Sequence, residues 1–211
     1  MILNKILAGT LCLWVATGLC YAQESIDSVI ARMQPDIAVQ IAYQETRYMG
    51  LLSEDWQGSG FLYAAGPHIL LKQQQQPELE IMAVNGEQLS YFKPSTQTYH
   101  QLQIDESDPM MASLAAFKSI MTGDLPFLRQ WYHLALTTSA SAWKLTLTAK
   151  EHEPGASALK IIMQGLPKQV AHKMTVFLPD GDRSLYLLSH PQQGLAVKQK
   201  LMGLLQSLQR Q

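Results

Sequence analysis

The sequence predicts a mainly β protein with helices (α+β), built on one curved antiparallel sheet of about ten strands with three helices. Three observations predict it. Ten Pro and 13 Gly residues cut the chain into short runs, the punctuation of an antiparallel meander. In the longest run, Asp36 to Arg47, apolar residues occupy every second position, which is strand periodicity. Three other segments repeat apolar residues at helical spacing.

The first 22 residues stand apart. One cation, Lys5, precedes an apolar run from Ile6 to Leu19, closed by Cys20-Tyr21-Ala22 before Gln23; this is the layout of a cleavable export signal. The run is shorter than the ~20 residues of a membrane span. Cleavage after Ala22 takes 22 from 211 residues, leaves 189, and removes both cysteines. Disulfides, thiolate metal sites and cysteine nucleophiles are then not expected. With Lys5 gone, 15 basic residues face 17 acidic ones, a formal charge of −2. The absence of a basic cluster argues against nucleic acid as a partner. Residues 23–211 suit one domain, expected in the periplasm of a Gram-negative type cell. The apolar share of 47% beside 16% charged residues suggests more apolar surface than the fold itself needs.

From Ser25 to Met33, Ile26, Val29, Ile30 and Met33 recur at i, i+3, i+4 and i+7, predicting an amphipathic helix that ends before Pro35. A long strand follows, with Ile37, Val39, Ile41 and Tyr43 on one face and Ala38, Gln40, Ala42 and Gln44 on the other. Further strands are expected over 60–65, 68–74, 78–84, 88–92 and 99–104. Asn85-Gly86 between two of them signals a type I′ hairpin, because both residues tolerate positive φ. The glutamine run Gln73 to Gln76 reads as a strand end entering the turn at Pro77. Ser107-Asp108-Pro109 supplies an N-cap and an N1 proline for a helix from Met110 to Thr122. Met110, Leu114, Phe117 and Met121 share one stripe of it, and Gly123 closes it. Strands resume over 131–138, 143–149, 159–164, 172–178 and 183–188, with Asp180-Gly181 in the last turn. Leu201, Leu204, Leu205 and Leu208 predict a final amphipathic helix or tail within about 190–211.

Catalytic and metal chemistry find little support. The six His residues are scattered without ligand spacing, so neither a metal site nor a cofactor is expected. Gly58-Ser59-Gly60 has only superficial likeness to a nucleophile elbow. The pairs Asp180/Asp182 and Glu151/Glu153 read as solvated turn charge rather than acid–base machinery. No catalytic residue is assigned, and the chain is not expected to be an enzyme. Glu45 and Arg47 differ, because alternation puts both on the apolar face of the first strand. Burying them is costly unless they find partners. They form either a structural ion pair at a strand end or a polar latch at a cavity mouth. Met110, Met111 and Met121 group in one segment, and Met adapts to varied apolar occupants.

In order along the chain, Tyr43-Gln44-Glu45-Thr46-Arg47, Gly58-x-Gly60-x-Leu62, Pro67-x-x-Leu70, Pro77, Asn85-Gly86, Gly123-Asp124-Leu125-x-x-Leu128 and Trp143-x-Leu145-x-Leu147 resemble the outer-membrane lipoprotein carrier (LolA) family, most nearly its divergent LolA-like branch. The resemblance spans about Ser25 to Ser189. It implies an unclosed antiparallel half-barrel of about ten to eleven strands, covered by helices on its concave face. It also implies a periplasmic carrier that takes acylated lipoprotein or lipid cargo from an inner-membrane exporter to an outer-membrane acceptor. The better-known carriers have Arg directly before the proline of an R-P segment, where it helps to close the lid. Here Gly66 precedes Pro67, which makes Arg47 the substitute candidate and leaves lipoprotein and other lipid or polyene cargo both open.

Energetics favours a covered cavity for such cargo. Taking two acyl chains of about 14 carbons from a bilayer costs on the order of 20 kcal/mol at ~0.8 kcal/mol per methylene. At ~25 cal/mol per Å², offsetting that takes roughly 800 Å² of apolar surface, more than the about 300–600 Å² of the largest patch usual on a monomer. The expected cavity residues are Ile37, Val39, Ile41, Tyr43, Leu62, Leu114, Phe117 and Met121, with Glu45 and Arg47 at the mouth and the helix over 110–121 as lid. A monomer is expected. The alternatives are a sensor domain on the same half-barrel that binds mislocalised lipoproteins and, further off, a lipid hydrolase or acyltransferase.

Overall fold

The computed structural model describes residues 24–50, 54–104, 109–150 and 159–210. The leader (1–22), the cap candidate Ser107-Asp108 and the acidic pair Glu151/Glu153 lie outside them.

The first described element is α1 (Ile26–Ala31), nucleated by a reciprocal cap: the Ser28 amide donates to Ser25 Oγ and the Ser25 amide to Ser28 Oγ, each at 3.1 Å. Its buried residues, Val29 and Ile30, belong to the expected stripe. Six strands follow as a meander: β1 (Val39–Tyr48), β2 (Trp56–Ala65), β3 (Ile69–Gln76), β4 (Glu80–Asn85), β5 (Gln88–Lys93) and β6 (Thr98–Gln103). Two helices come next, α2 (Pro109–Thr122) and α3 (Leu125–Trp131). The second meander is β7 (Tyr132–Thr138), β8 (Trp143–Ala149), β9 (Lys160–Gly165), β10 (Ala171–Phe177) and β11 (Arg183–Leu188). A two-residue β12 (Gln192–Gln193) and the final α4 (Leu195–Gln209) complete the chain.

All strands join one antiparallel sheet in the order β6-β5-β4-β3-β2-β1-β11-β10-β9-β8-β7. β1 and β11 join the two meanders at the centre, and β6 and β7 end as opposite edges that do not pair. The sheet is therefore the unclosed half-barrel that was expected. Because β6 and β7 sit at opposite edges, the chain between them must cross the sheet, and α2 and α3 make that crossing over its concave face.

Apolar residues on the two faces of the sheet feed different cores. On the concave side, one core joins α1, Ala116 and Ile120 of α2 and Leu128 of α3 to Trp143, Leu145, Leu147, Ile161 and Met163. A second concave core lies under the rest of α2 and contains Val39, Ile41, Tyr43, Leu62, Leu70, Val84, Leu89 and Met121. Phe117, Tyr186 and Leu188 touch both. Among the described residues, α2 alone of the helices covers this second half, whereas three helices cover the first.

One element departs from expectation. Residues 125–131 form a helix, since Asp124 Oδ1 accepts the Phe127 amide at 3.1 Å and Pro126 sits in the first turn. The C-terminal segment, expected as a helix or tail of open position, is a helix and packs on the convex face. Val197, Leu201, Leu205 and Leu208 meet Tyr63, Leu71, Ile81 and Ala83 there. Strands β2 to β4 carry apolar residues on both faces, Leu62 against Tyr63 and Leu70 against Leu71, so a cover is needed on each side.

Candidate functional site

The thinly covered half of the barrel holds a cavity of about 360 Å³. Its floor is Leu62 on β2, Leu70 on β3, Met82 and Val84 on β4 and Leu89 on β5. Met174 and Val176 of β10, with Leu178 just beyond it, form the far wall, and Met111, Leu114 and Phe117 of α2 form the roof. At one end the lining turns polar, with Glu45, Arg47, Lys72, Asp182, Arg183, Ser184 and Tyr186. The Arg47 side chain is 38% exposed, which marks this end as the mouth.

Alternation along β1 turns Val39, Ile41, Tyr43 and Glu45 inward. Cross-strand pairing sets Glu45 opposite Tyr186 on β11 and Gly58 on β2. The Glu45 side chain is wholly buried. Its Oε1 accepts Arg47 Nε at 2.6 Å and the Tyr186 hydroxyl at 2.8 Å, and its Oε2 accepts Lys72 Nζ at 2.6 Å. Aromatic rings surround the two cations: Arg47 lies 4.2 Å from the Trp56 ring, and the Lys72 ammonium 5.1 Å from Tyr43 and 5.3 Å from Tyr186.

This packing sets the charge states. Burial pushes the Glu45 carboxyl up, but Lys72 and Arg47 together outweigh it and hold the group below the ordinary glutamate value. Burial dominates at Lys72 and draws its amine below the usual lysine value against the pull of Glu45. Arg47 moves up, because its bond to Glu45 overcomes its own burial. Burial, reinforced by the Glu45 charge, raises both the Tyr186 and Tyr43 phenols, so both stay protonated.

Of the residues expected to line a cavity, Leu62, Leu114 and Phe117 do so, with Glu45 and Arg47 at the mouth. Leu62 faces inward, and Tyr63 is the residue buried under α4. Val39, Ile41, Tyr43 and Met121 are packed into the core beside the cavity rather than exposed to it. Ile37 is not a cavity residue. It stands 42% exposed, two positions before β1 starts, where no strand pairing holds the alternation. Glu45 holds Arg47, Lys72 and Tyr186, and Arg47 lies over Trp56; among the described residues neither bonds to the lid. The contact that ties the lid to the sheet is Lys118 Nζ of α2, which donates to the Gly86 carbonyl at 3.3 Å.

Lys72 and Tyr186 were not singled out in the sequence. Lys72 carries the same signal as Glu45, a charge two positions beyond an inward apolar residue, Leu70 for Lys72 and Tyr43 for Glu45. The wall residues Met174 and Val176 gave none, because only the curvature of the sheet brings them over β4.

No protein-family model matches the sequence, and no curated protein matches it. Among solved structures, the chain is similar to a LolA superfamily protein from Nitrosomonas europaea, with 10% identity and a TM-score of 0.46 over 80% of this chain and 91% of that one. It is similar to a DUF1329 family protein from Desulfovibrio piger, with 9% identity and a TM-score of 0.47 over 80% and 91%. A third similar structure is the lipoprotein LppX of Mycobacterium tuberculosis, with 13% identity and a TM-score of 0.36 over 81% and 97%. These likenesses are distant, and the cavity is what carries the functional reading.

Proposed function

We propose that the protein is a non-enzymatic periplasmic carrier, which holds acyl chains of lipoproteins or other lipids in this cavity and moves them from the inner to the outer membrane. One observation carries the reading: an apolar cavity of about 360 Å³ lies between the concave sheet and a single helix. Its volume is within the roughly 300–1,000 Å³ usual for ligand sites. Four of its lining residues, Met49, Met82, Met111 and Met174, are flexible side chains suited to occupants of variable shape. The leader-like first 22 residues support export. Catalysis has no assigned group in this reading; the buried carboxylate at the mouth, Glu45, is engaged by Arg47, Lys72 and Tyr186.

The closed cavity is small for the full cargo. An apolar cavity of about 150 Å³ takes a benzene-sized guest, so this one holds one chain segment rather than two whole chains. Loading a larger lipid requires α2 to swing away from β2 and β3. The test is mass spectrometry of organic extracts from protein purified out of the periplasm, for the wild type and Phe117→Glu. Acyl lipid with the wild type and none with a folded variant is expected. Equal lipid with both, or none with either, overturns the assignment.

A further inference from the structure

We propose that the cavity selects an amphiphile with an anionic end, its carboxylate or phosphate seated on Lys72 and Arg47 and its hydrocarbon against Leu62, Met82 and Phe117. This inference rests on the carrier reading of the same cavity and adds the chemical class of its ligand.

The lining is unbalanced in charge. Among the described lining residues, Arg47, Lys72 and Arg183 face two carboxylates, Glu45 and Asp182; Glu80, outside the lining, also acts on Lys72 but is paired with Lys93. Both lining carboxylates are occupied: Glu45 accepts from three donors, and Asp182 Oδ1 accepts the Gly50 amide at 3.1 Å. One carboxylate thus serves two cations at the inner mouth, and among the described lining residues one positive charge is left over. Arg47 spends its Nε on Glu45, leaving the terminal nitrogens of its planar fork, the geometry that matches carboxylate and phosphate. Lys72 has three donors, of which one is given to Glu45. Trp56 beneath Arg47, and Tyr43 and Tyr186 beside Lys72, hold both cations in place before any ligand arrives. An excess cation next to an apolar wall is costly unless an anion joins it. A neutral ligand end supplies nothing there, and a cationic one is repelled.

The arrangement also sets polarity of entry. Arg47 reaches solvent, whereas Leu62, Leu70 and Val84 are buried inside, so the charged end stays at the mouth while the tail enters under α2.

Isothermal titration of the delipidated protein with four 12-carbon probes tests this: dodecanoate, dodecyl phosphate, dodecanol and dodecyltrimethylammonium, with acetate and inorganic phosphate as tail-free controls. Dodecanoate or dodecyl phosphate, or both, should bind at least tenfold tighter than dodecanol, with dodecyltrimethylammonium weakest and the tail-free anions undetected. Lys72→Met and Arg47→Met should each bring the anionic probes down toward dodecanol while dodecanol itself changes less than twofold. Circular dichroism checks each variant; Arg47, the more exposed of the two, carries the test if Lys72→Met does not fold. Dodecanol binding as tightly as both anionic probes overturns the headgroup assignment and leaves the carrier reading standing. So does equal loss of dodecanol and dodecanoate in the folded variants, or binding of the tail-free anions as tight as that of dodecanoate. Failure of every 12-carbon probe to bind overturns both.

Discussion

Lys72 on β3 meets Glu45 on β1 across the whole width of β2, with Nζ 2.6 Å from Oε2. Glu45 is paired with Gly58 of β2, and Lys72 with Leu62. The inward position between those two is Gly60, so no side chain stands in the way. The Gly58-x-Gly60-x-Leu62 pattern has a structural purpose of its own: a Cβ at Gly60 would collide with the Gln73 carbonyl of β3, so glycine lets β2 and β3 approach where their register shifts. Gly58 makes room for Trp56, since a Cβ there would overlap its ring, and the ring so placed receives Arg47.

Removing the carboxylate should expose what it balances. Glu45→Gln leaves two cations without a counter-charge, a change that typically costs about 3–5 kcal/mol when a buried pair is broken. Partial exposure of Arg47 and Lys72 brings the expected loss to roughly 2–3 kcal/mol. Urea unfolding should show it as a lower midpoint at unchanged slope. The double variant Glu45→Gln/Lys72→Met should recover part of the loss; a strictly additive result would mean the pair is not coupled.

Acid should loosen the same cluster. Glu45 has its folded-state pKa depressed, so its contribution is fully present above the unfolded-state value and is lost as pH falls through the folded one. The loss should begin once pH drops below about 4.3, the ordinary glutamate value. Glu24, held down by its bond to Arg32, titrates in the same direction, so the informative quantity is the difference between wild type and Glu45→Gln. That difference should shrink from pH 6 to pH 3 in urea midpoints. A constant gap would show that the carboxylate does not discharge in this range.

Lys118 is a polar tether of the lid, and its removal should be kinetic in effect. Lys118→Met deletes the bond to the Gly86 carbonyl while keeping an apolar stem on α2. The stability cost should be at most ~1.5 kcal/mol, the lower range for a bond to a charged group. Stopped-flow dissociation of a bound fluorescent fatty acid should accelerate severalfold. An unchanged rate would assign lid closure to the apolar contacts of α2 alone.

Much of this architecture is legible one strand or helix at a time. The alternation of β1 announced its inward face, the stripe on α2 announced its apolar arc, and Asn85-Gly86 announced a hairpin in which Gly86 has φ of 63°. Legibility ended where an outcome depends on several elements at once. The periodicity of α4 shows that one side is apolar but not which face of the sheet receives it. The missing hint was in the strands, where the consecutive pairs Tyr63-Ala64, Leu70-Leu71 and Ala83-Val84 require cover on both faces. Helix α3, at seven residues, is too short for periodicity to register, and only its Asp124 cap and Pro126 mark it. The Lys72–Glu45 pair needed the registers of three strands together.

Substitution on the convex face should separate structure from ligand binding. Leu201 is fully buried between α4 and the outer surface of the sheet, and truncation of such a leucine costs about 2–5 kcal/mol through lost contacts and the void left behind. Leu201→Ala should therefore lower the urea midpoint strongly. The cavity is lined from the opposite face, by Leu62 and Leu70 where α4 meets Tyr63 and Leu71. Under conditions where the variant remains folded, its affinity for dodecanoate should match that of the wild type within about twofold. A parallel fall in affinity would mean that α4 controls the curvature of the sheet, and with it the width of the cavity, through β2 and β3.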